Sequence, residues 1–199
     1  ENHIVIYGEG PIGQVITGFE VATFSEQDAI NIAKTEIGEF LSGMIYGYTF
    51  DYQLDNPITK RSKRIELINT IKIKITDPNF TFRQAEKSDR SLRLQGIYRL
   101  REDQINFRSG FASSTGVTTM GRSVSFQSND YNNRLLSVKE AIEDAIQNQA
   151  RRDYKSRPER LRGRLILIES PRINLISGSW NTTVKIHLII SEVKYQENY

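Results

Sequence analysis

The stretch Phe24-Ser25-Glu26-Gln27-Asp28-Ala29-Ile30-Asn31-Ile32-Ala33 returns as Leu136-Ser137-Val138-Lys139-Glu140-Ala141-Ile142-Glu143-Asp144-Ala145, 112 positions later. A second correspondence sets Asn69-Thr70-Ile71-Lys72-Ile73-Lys74-Ile75 beside Asn181-Thr182-Thr183-Val184-Lys185-Ile186-His187-Leu188. From Ile71 to Val184 its offset is 113. Two matches at almost one offset imply a duplicated unit of one helix followed by strands. Duplication of a packing unit specifies architecture and leaves chemistry unspecified.

Each copy of the helix carries its own start signal. Ser25 is a good N-cap with Asp28 placed to reach back to it, and Ser137 stands in the same relation to Glu140. In the first copy Ile30, Ala33, Ile37, Leu41 and Met44 recur at three- or four-residue steps, and Gly43 marks the expected end. In the second, Val138, Ala141, Ile142, Ala145, Ile146 and Ala150 form the buried stripe.

The period then switches to two. Tyr46, Tyr48, Phe50, Tyr52 and Leu54 alternate with polar residues, which reads as a strand with an aromatic core face under the first helix. Asp55-Asn56-Pro57 and Lys60-Arg61-Ser62-Lys63-Arg64 connect it to a second alternating strand, residues 65–75, closed by Asp77-Pro78. A further strand is predicted over 92–100. After the second helix come a buried strand around Leu165-Ile166-Leu167-Ile168 and a hairpin from Ile173 to Val193 that turns at Ser177-Gly178-Ser179. Ile4-Val5-Ile6-Tyr7 reads as a short opening strand ended by Gly8 and Gly10.

Residues 106–133 are dominated by Ser, Thr, Gly, Asn and Arg, and read as a long loop with a small hairpin around Val124 and Phe126. The expected architecture is α+β: internally duplicated helix-hairpin units forming a mainly antiparallel sheet, with two helices packed on one face. The whole chain, 1–199, reads as a single pseudo-symmetric domain. Repeat 1 spans about 24–76, the insertion about 106–133 and repeat 2 about 136–193.

With 199 residues, 38% hydrophobic and 26% charged, the chain has material for a real core. No apolar run approaches the roughly 20 residues that a bilayer-spanning helix needs. Cysteine is absent, so disulfides, thiolate nucleophiles and Cys-based zinc sites are excluded. A net charge of +3 is mild for a dedicated nucleic-acid binder. The chain opens on Glu1, and it is expected to follow a signal peptide that has been removed or a trimmed start.

Gly8-Glu9-Gly10-Pro11-Ile12-Gly13 spells the dinucleotide fingerprint G-x-G-x-x-G. That chemistry needs a helix N-terminus aimed at a pyrophosphate inside a βαβ unit. Here Gly18 interrupts any helix and an antiparallel hairpin follows the first one, so these are read as turn glycines and no cofactor is expected. Catalytic material is thin: His3 and His187 are the only histidines, and no nucleophile elbow or metal pattern is present. Glu140, Glu143 and Asp144 are explained by the favourable charge of a helix first turn.

The densest charge cluster runs from Arg151 to Arg164. It reads as a solvated helix end that can serve as a docking surface, with Arg stems covering apolar area. The candidate partner surface comprises Arg151, Arg152, Tyr154, Arg157, Arg160 and Arg162, with Phe111 and Tyr131 from the central loop. No catalytic, cofactor or metal residues are assigned.

The pattern Ala29-x3-Ala33 and Ala141-x3-Ala145-x4-Ala150, followed by paired strands, resembles the small repeated modules of bacterial envelope and flagellar-associated proteins of the FlgT-like group. Together with the Ile-, Asn- and Lys-rich composition, the chain also resembles spirochaete periplasmic flagellar sheath proteins of the FcpB kind. The resemblance implies secretion to the periplasm, no catalysis, and lateral contacts with other flagellar or envelope subunits or with further copies of itself. The first expectation is therefore a non-enzymatic structural or assembly protein. Two alternatives stand beside it: a nucleic-acid-binding module using Lys60 to Arg64 and Arg151 to Arg164, and a hydrolase with a carboxylate pair assembled in space.

Overall fold

A computed structural model of the chain describes residues 2–17, 20–55, 60, 62–125, 132–156 and 158–195. The fold is α+β, with three helices and antiparallel sheets among the described residues. In chain order the first half contains β1 (His3–Pro11), β2 (Gly13–Thr17), β3 (Glu20–Phe24), α1 (Glu26–Ile45), β4 (Tyr48–Gln53), β5 (Arg64–Asn69), β6 (Phe80–Lys87) and β7 (Ser91–Arg99). The rest contains α2 (Glu102–Ala112), β8 (Val117–Ser125), α3 (Asn132–Asp153), β9 (Arg160–Leu167), β10 (Arg172–Ile176) and β11 (Ser179–Lys194).

The duplicated alanines have a shared task. In the first half β1 runs under α1, and Gly8 and Gly10 lie against the backbone of Ala33 and Ala29. A Cβ on Gly10 would sit 2.6 Å from the Ala29 Cα. In the second half β8 runs under α3, and Gly121 lies against Ala141 and Ala145, where a Cβ would sit 2.5 Å from the Ala145 nitrogen. All four alanines are fully buried. Small residues on both surfaces let helix and strand backbones approach closely, so Ala-x3-Ala and strand glycine form one packing unit, used twice.

Each unit closes in the same way. β1 pairs antiparallel with β7, the second strand of the β6–β7 hairpin; β8 pairs antiparallel with β11, the second strand of the β10–β11 hairpin. The strands that follow the two long helices, β4 and β9, pair with each other, Phe50 opposite Gly163. That ladder joins the halves into one six-stranded sheet containing β10, β11, β9, β4, β5 and β8, beside the three-stranded sheet β1-β7-β6. A small β2–β3 hairpin stands apart. Tyr48, Phe50, Tyr52 and Leu54 are buried, as their alternation predicts; Tyr48 lies against α1 at Gly43, and Leu54 near Ala150 at the end of α3.

Several expectations need correction. Ser25 caps α1 with the full reciprocal box to Asp28, but the helix runs past Gly43 to Ile45 because Gly43 is needed where the Tyr48 ring crosses the helix. α3 begins at Asn132, so Ser137 is an interior residue and no N-cap. Glu140, Glu143 and Asp144 therefore lie well inside the helix; Glu143 pairs with Lys63, and Asp144 accepts the Arg122 backbone N–H at 3.0 Å.

The strand expected over 65–75 stops at Asn69. Ile73 and Ile75 leave the sheet to pack on α1: the Ile73 N–H donates to the Ser42 hydroxyl at 3.0 Å, and Ile75 approaches Gly38. The correspondence of Ile71 with Val184 is thus not structural, since Val184 sits mid-strand in β11 opposite Gly121. Gly8 and Gly10 are not turn glycines either: β1 continues through both to Pro11, and only Gly13, at φ 77°, lies in the left-handed region. No helix N-terminus follows them, which removes the geometry of the dinucleotide fingerprint.

Residues 106–133 are largely structured. α2 spans much of the first part and β8 the next; Phe126 and Tyr131 lie outside the described residues, as do Gly18, Asn56, Pro57, Arg61 and Arg157. α2 also amends the layering. Its end packs on the sheet face opposite α3, where the Phe111 ring meets His187 edge-on at 5.9 Å and Arg164 at 5.7 Å. Its start is held by Gln104, fully buried, whose Nε2 donates to the Tyr46 and Tyr98 hydroxyls at 3.2 and 3.1 Å. No helix among the described residues is long and apolar enough to cross a membrane.

Candidate functional site

The arginine-rich run divides into two parts with different electrostatics. Arg151 and Arg152 occupy the last turn of α3, where unpaired carbonyls favour positive charge, and both are exposed. Tyr154 follows, half-buried, its N–H still bonded to the Ala150 carbonyl at 3.0 Å and its ring edge-on to Tyr195. Burial pushes the Tyr154 hydroxyl pKa up, with the Asp153 charge adding to it. A groove of about 320 Å³ opens here, lined by Leu54, Ala150 and Pro158 together with Gln147, Arg151, Tyr154 and Lys155.

Past Pro158 the chain enters β9, and the remaining arginines belong to the sheet. Arg160 and Arg162 flank Asp51 across the β4–β9 ladder. Arg160 grips both Asp51 oxygens, with Nε to Oδ1 at 2.6 Å; Arg162 Nε donates to Oδ2 at 2.9 Å and its Nη1 reaches Glu192 at 3.2 Å. The Arg160 contact, foremost, holds the Asp51 carboxyl below the usual carboxylate range. The run is thus a solvated helix end only as far as Pro158, where the helix is expected to break; beyond it Arg160 and Arg162 pair with Asp51, and Arg164 lies over the Phe111 ring. Arg151, Arg152 and Lys155 have no ion-pair partner among the described residues.

Phe111 is 7% exposed, buried between α2 and the sheet, so it cannot contribute to an exposed partner surface. Arg157 and Tyr131 lie outside the described residues. The surface that remains from the sequence reading is Arg151, Arg152 and Tyr154, joined by Lys155.

A buried ionic cluster escaped the sequence reading. Glu36 of α1 is 3% exposed; its Oε1 accepts from Arg134 Nε at 2.6 Å and its Oε2 from the Glu9 backbone N–H at 2.8 Å. Arg134 Nη1 also reaches the Glu9 carboxylate at 3.1 Å, and its guanidinium lies 5.2 Å from the Trp180 ring centre. Burial pushes the Glu36 carboxyl up, against the pull of Arg134. The only sequence signal was a carboxylate on the apolar stripe of the first helix, at the step between Ala33 and Phe40. Arg134 lies just outside the repeated segment and gave none.

A family model named for Treponema, of uncharacterised function, matches residues 14–195. The chain belongs to that family. The matched region takes in all three helices and the groove at the end of α3, and leaves out β1. No curated protein and no solved structure shows significant similarity to the chain.

Proposed function

We propose that this protein is a non-enzymatic assembly component of the spirochaete periplasm, flagellum-associated or part of the envelope, acting through protein–protein contacts. The observation that carries the reading is the end of α3: an apolar floor of Leu54, Ala150 and Pro158 beside the unpaired cations Arg151, Arg152 and Lys155, with Tyr154 between them. Such a surface suits an acidic segment of another protein that anchors one apolar side chain in the groove, since Tyr and Arg dominate binding energies at interfaces. The Treponema name of the family fits a spirochaete setting.

The nucleic-acid reading is left with less charge than the sequence offered. Arg160 and Arg162 are paired with Asp51, and Lys63 with Glu143. Phosphate contacts need cations free to release their counterions.

The test is cross-linking and pull-down from a spirochaete periplasmic extract, with the wild type compared against an Arg151→Glu/Arg152→Glu double variant. The expected result is recovery of flagellar or envelope subunits by the wild type and their loss with the variant, whose thermal midpoint drops by only a few degrees as two favourable charges at a helix C-terminus are reversed. Equal recovery by both proteins, or recovery of no such subunit, overturns the reading.

A further inference from the structure

A second site lies elsewhere, between α2 and the outer face of the six-stranded sheet, and it is independent of the α3 groove. A cavity of about 400 Å³ is lined there by Leu100, Ile105, Arg108, Thr118, Ile166 and His187. Its volume falls within the range of small-ligand pockets, roughly 300–1,000 Å³. The lining is mostly aliphatic, with a few polar groups converging on it.

Two of those polar groups lack partners. His187 is 8% exposed, and its Nε2 makes no hydrogen bond. Its Nδ1 lies 3.5 Å from the Thr118 hydroxyl; with that hydroxyl donating, the ring proton sits on Nε2 as a buried, unused donor. Gly116 packs directly against that nitrogen, where a Cβ would lie only 2.5 Å away, so Nε2 is sealed from the cavity. Arg108, on the cavity side of α2, is half-buried and has no carboxylate partner among the described residues. Burial alone lowers its pKa, with no compensating negative charge. A half-buried cation without a carboxylate partner is a costly feature, and an anion in the cavity would relieve it.

We infer that this cavity binds a small organic carboxylate with an apolar body. The charge argues for a monoanion: one guanidinium can pair with one carboxylate in two parallel hydrogen bonds, whereas a phosphate dianion would bring a second charge into an aliphatic pocket without a counterion. The apolar lining argues for a hydrocarbon body in place of a fully polar metabolite. The Thr118 hydroxyl, in the same lining, supplies a further polar contact, and α2 forms one wall.

The test uses octanoate as the probe, followed by isothermal titration calorimetry on the full chain. The expected outcome is saturable 1:1 binding that falls at least about tenfold in Arg108→Gln, the size expected when one charge-assisted contact is lost. Octylammonium and inorganic phosphate fail to compete. Because Arg108 is half-exposed, its variant keeps the fold, as a circular dichroism spectrum checks. No saturable octanoate binding, wild-type affinity in Arg108→Gln, or competition by octylammonium or phosphate at octanoate's own concentration overturns the inference.

Discussion

Arg134 near the start of α3 donates from Nε to Oε1 of Glu36 in the middle of α1 at 2.6 Å, linking the two duplicated helices through a buried ion pair. The pair does more for arrangement than for net stability. Taking both charges from water costs several kcal/mol, and their attraction roughly offsets that when the remaining atoms are satisfied. Here they are: Glu36 Oε2 receives the Glu9 N–H, and Arg134 also reaches the Glu9 carboxylate.

Removing one partner should therefore be far worse than removing both charges. Arg134→Ala leaves Glu36 buried and unpaired, and is expected to cost about 3–5 kcal/mol in urea denaturation at pH 8. Arg134→Met with Glu36→Gln keeps an acceptor for the Glu9 N–H and should recover at least half of that loss. The pH dependence has a definite sign. Burial already raises the Glu36 pKa, and losing Arg134 raises it further, so the folded state binds a proton that the unfolded state releases. The deficit of Arg134→Ala relative to wild type should shrink as pH is lowered from 8 towards 5. A deficit that grows on acidification would contradict this account.

The strand glycines give a second prediction, because their neighbours are backbone atoms that cannot swing aside. Gly10→Ala and Gly121→Ala each force a Cβ into α1 or α3 and should cost about 1–3 kcal/mol or more, as overpacked cores do. Gly110 in α2 is the control: nothing lies within 4 Å of its added Cβ, so Gly110→Ala should stabilise by up to about 1 kcal/mol. Urea midpoints of the three variants, moving in these opposite directions, check the packing unit directly.

The same glycines show how far the sequence could be read. The two helices were legible because Ala29, Ala33, Ala141 and Ala145 recur on apolar stripes, and periodicity is a local property. The partners of those alanines were not legible. Gly8 and Gly10 look like turn residues until a helix is laid across them, and only tertiary contact distinguishes a turn from a close approach. Ile73 and Ile75 keep a strand's alternation after leaving the sheet, because packing on α1 also selects apolar residues. α2 was missed for a related reason: Ile105, Phe107 and Phe111 sit in a polar, Ser- and Arg-rich segment whose helical stripe is weak. With α2 unread, nothing in the sequence set a wall over His187, and the cavity beside it could not be anticipated. The arginine run was legible as charge, but which arginines were free depended on Asp51, more than a hundred residues away.

Asp51 provides a pH test of that division. Its contacts with Arg160 and Arg162 depress its pKa below the ordinary 3.8, so the folded state holds the carboxylate charged where the unfolded chain would take up a proton. The stabilisation is present above pH 3.8 and is lost as pH falls through the folded-state value. Asp51→Asn should cost no more than about 1 kcal/mol at pH 7, since solvent reaches the cluster. The gap between variant and wild type should close as pH falls through the folded-state value. A gap independent of pH would mean that the arginines are not held by this carboxylate.

Ser25 and Ser137, aligned in the repeat, should respond differently to the same substitutions. Ser25 is a true N-cap whose hydroxyl receives the Asp28 N–H; Ser137 is fully buried inside α3, donating to the Arg134 carbonyl at 2.7 Å and accepting from the Thr182 hydroxyl at 2.6 Å. Ser25→Ala loses a cap worth about 1 kcal/mol, and Ser25→Gly loses only a few tenths because glycine is tolerated there. Ser137→Ala leaves the buried Thr182 hydroxyl short of a partner and should cost about 1–3 kcal/mol. Ser137→Gly adds the interior-helix penalty of about 1 kcal/mol on top of that. The ranking of Ala against Gly therefore reverses between the two sites, and four urea denaturation curves decide it. If glycine is the milder change at both positions, Ser137 caps its helix after all and α3 begins where the repeat alone would place it.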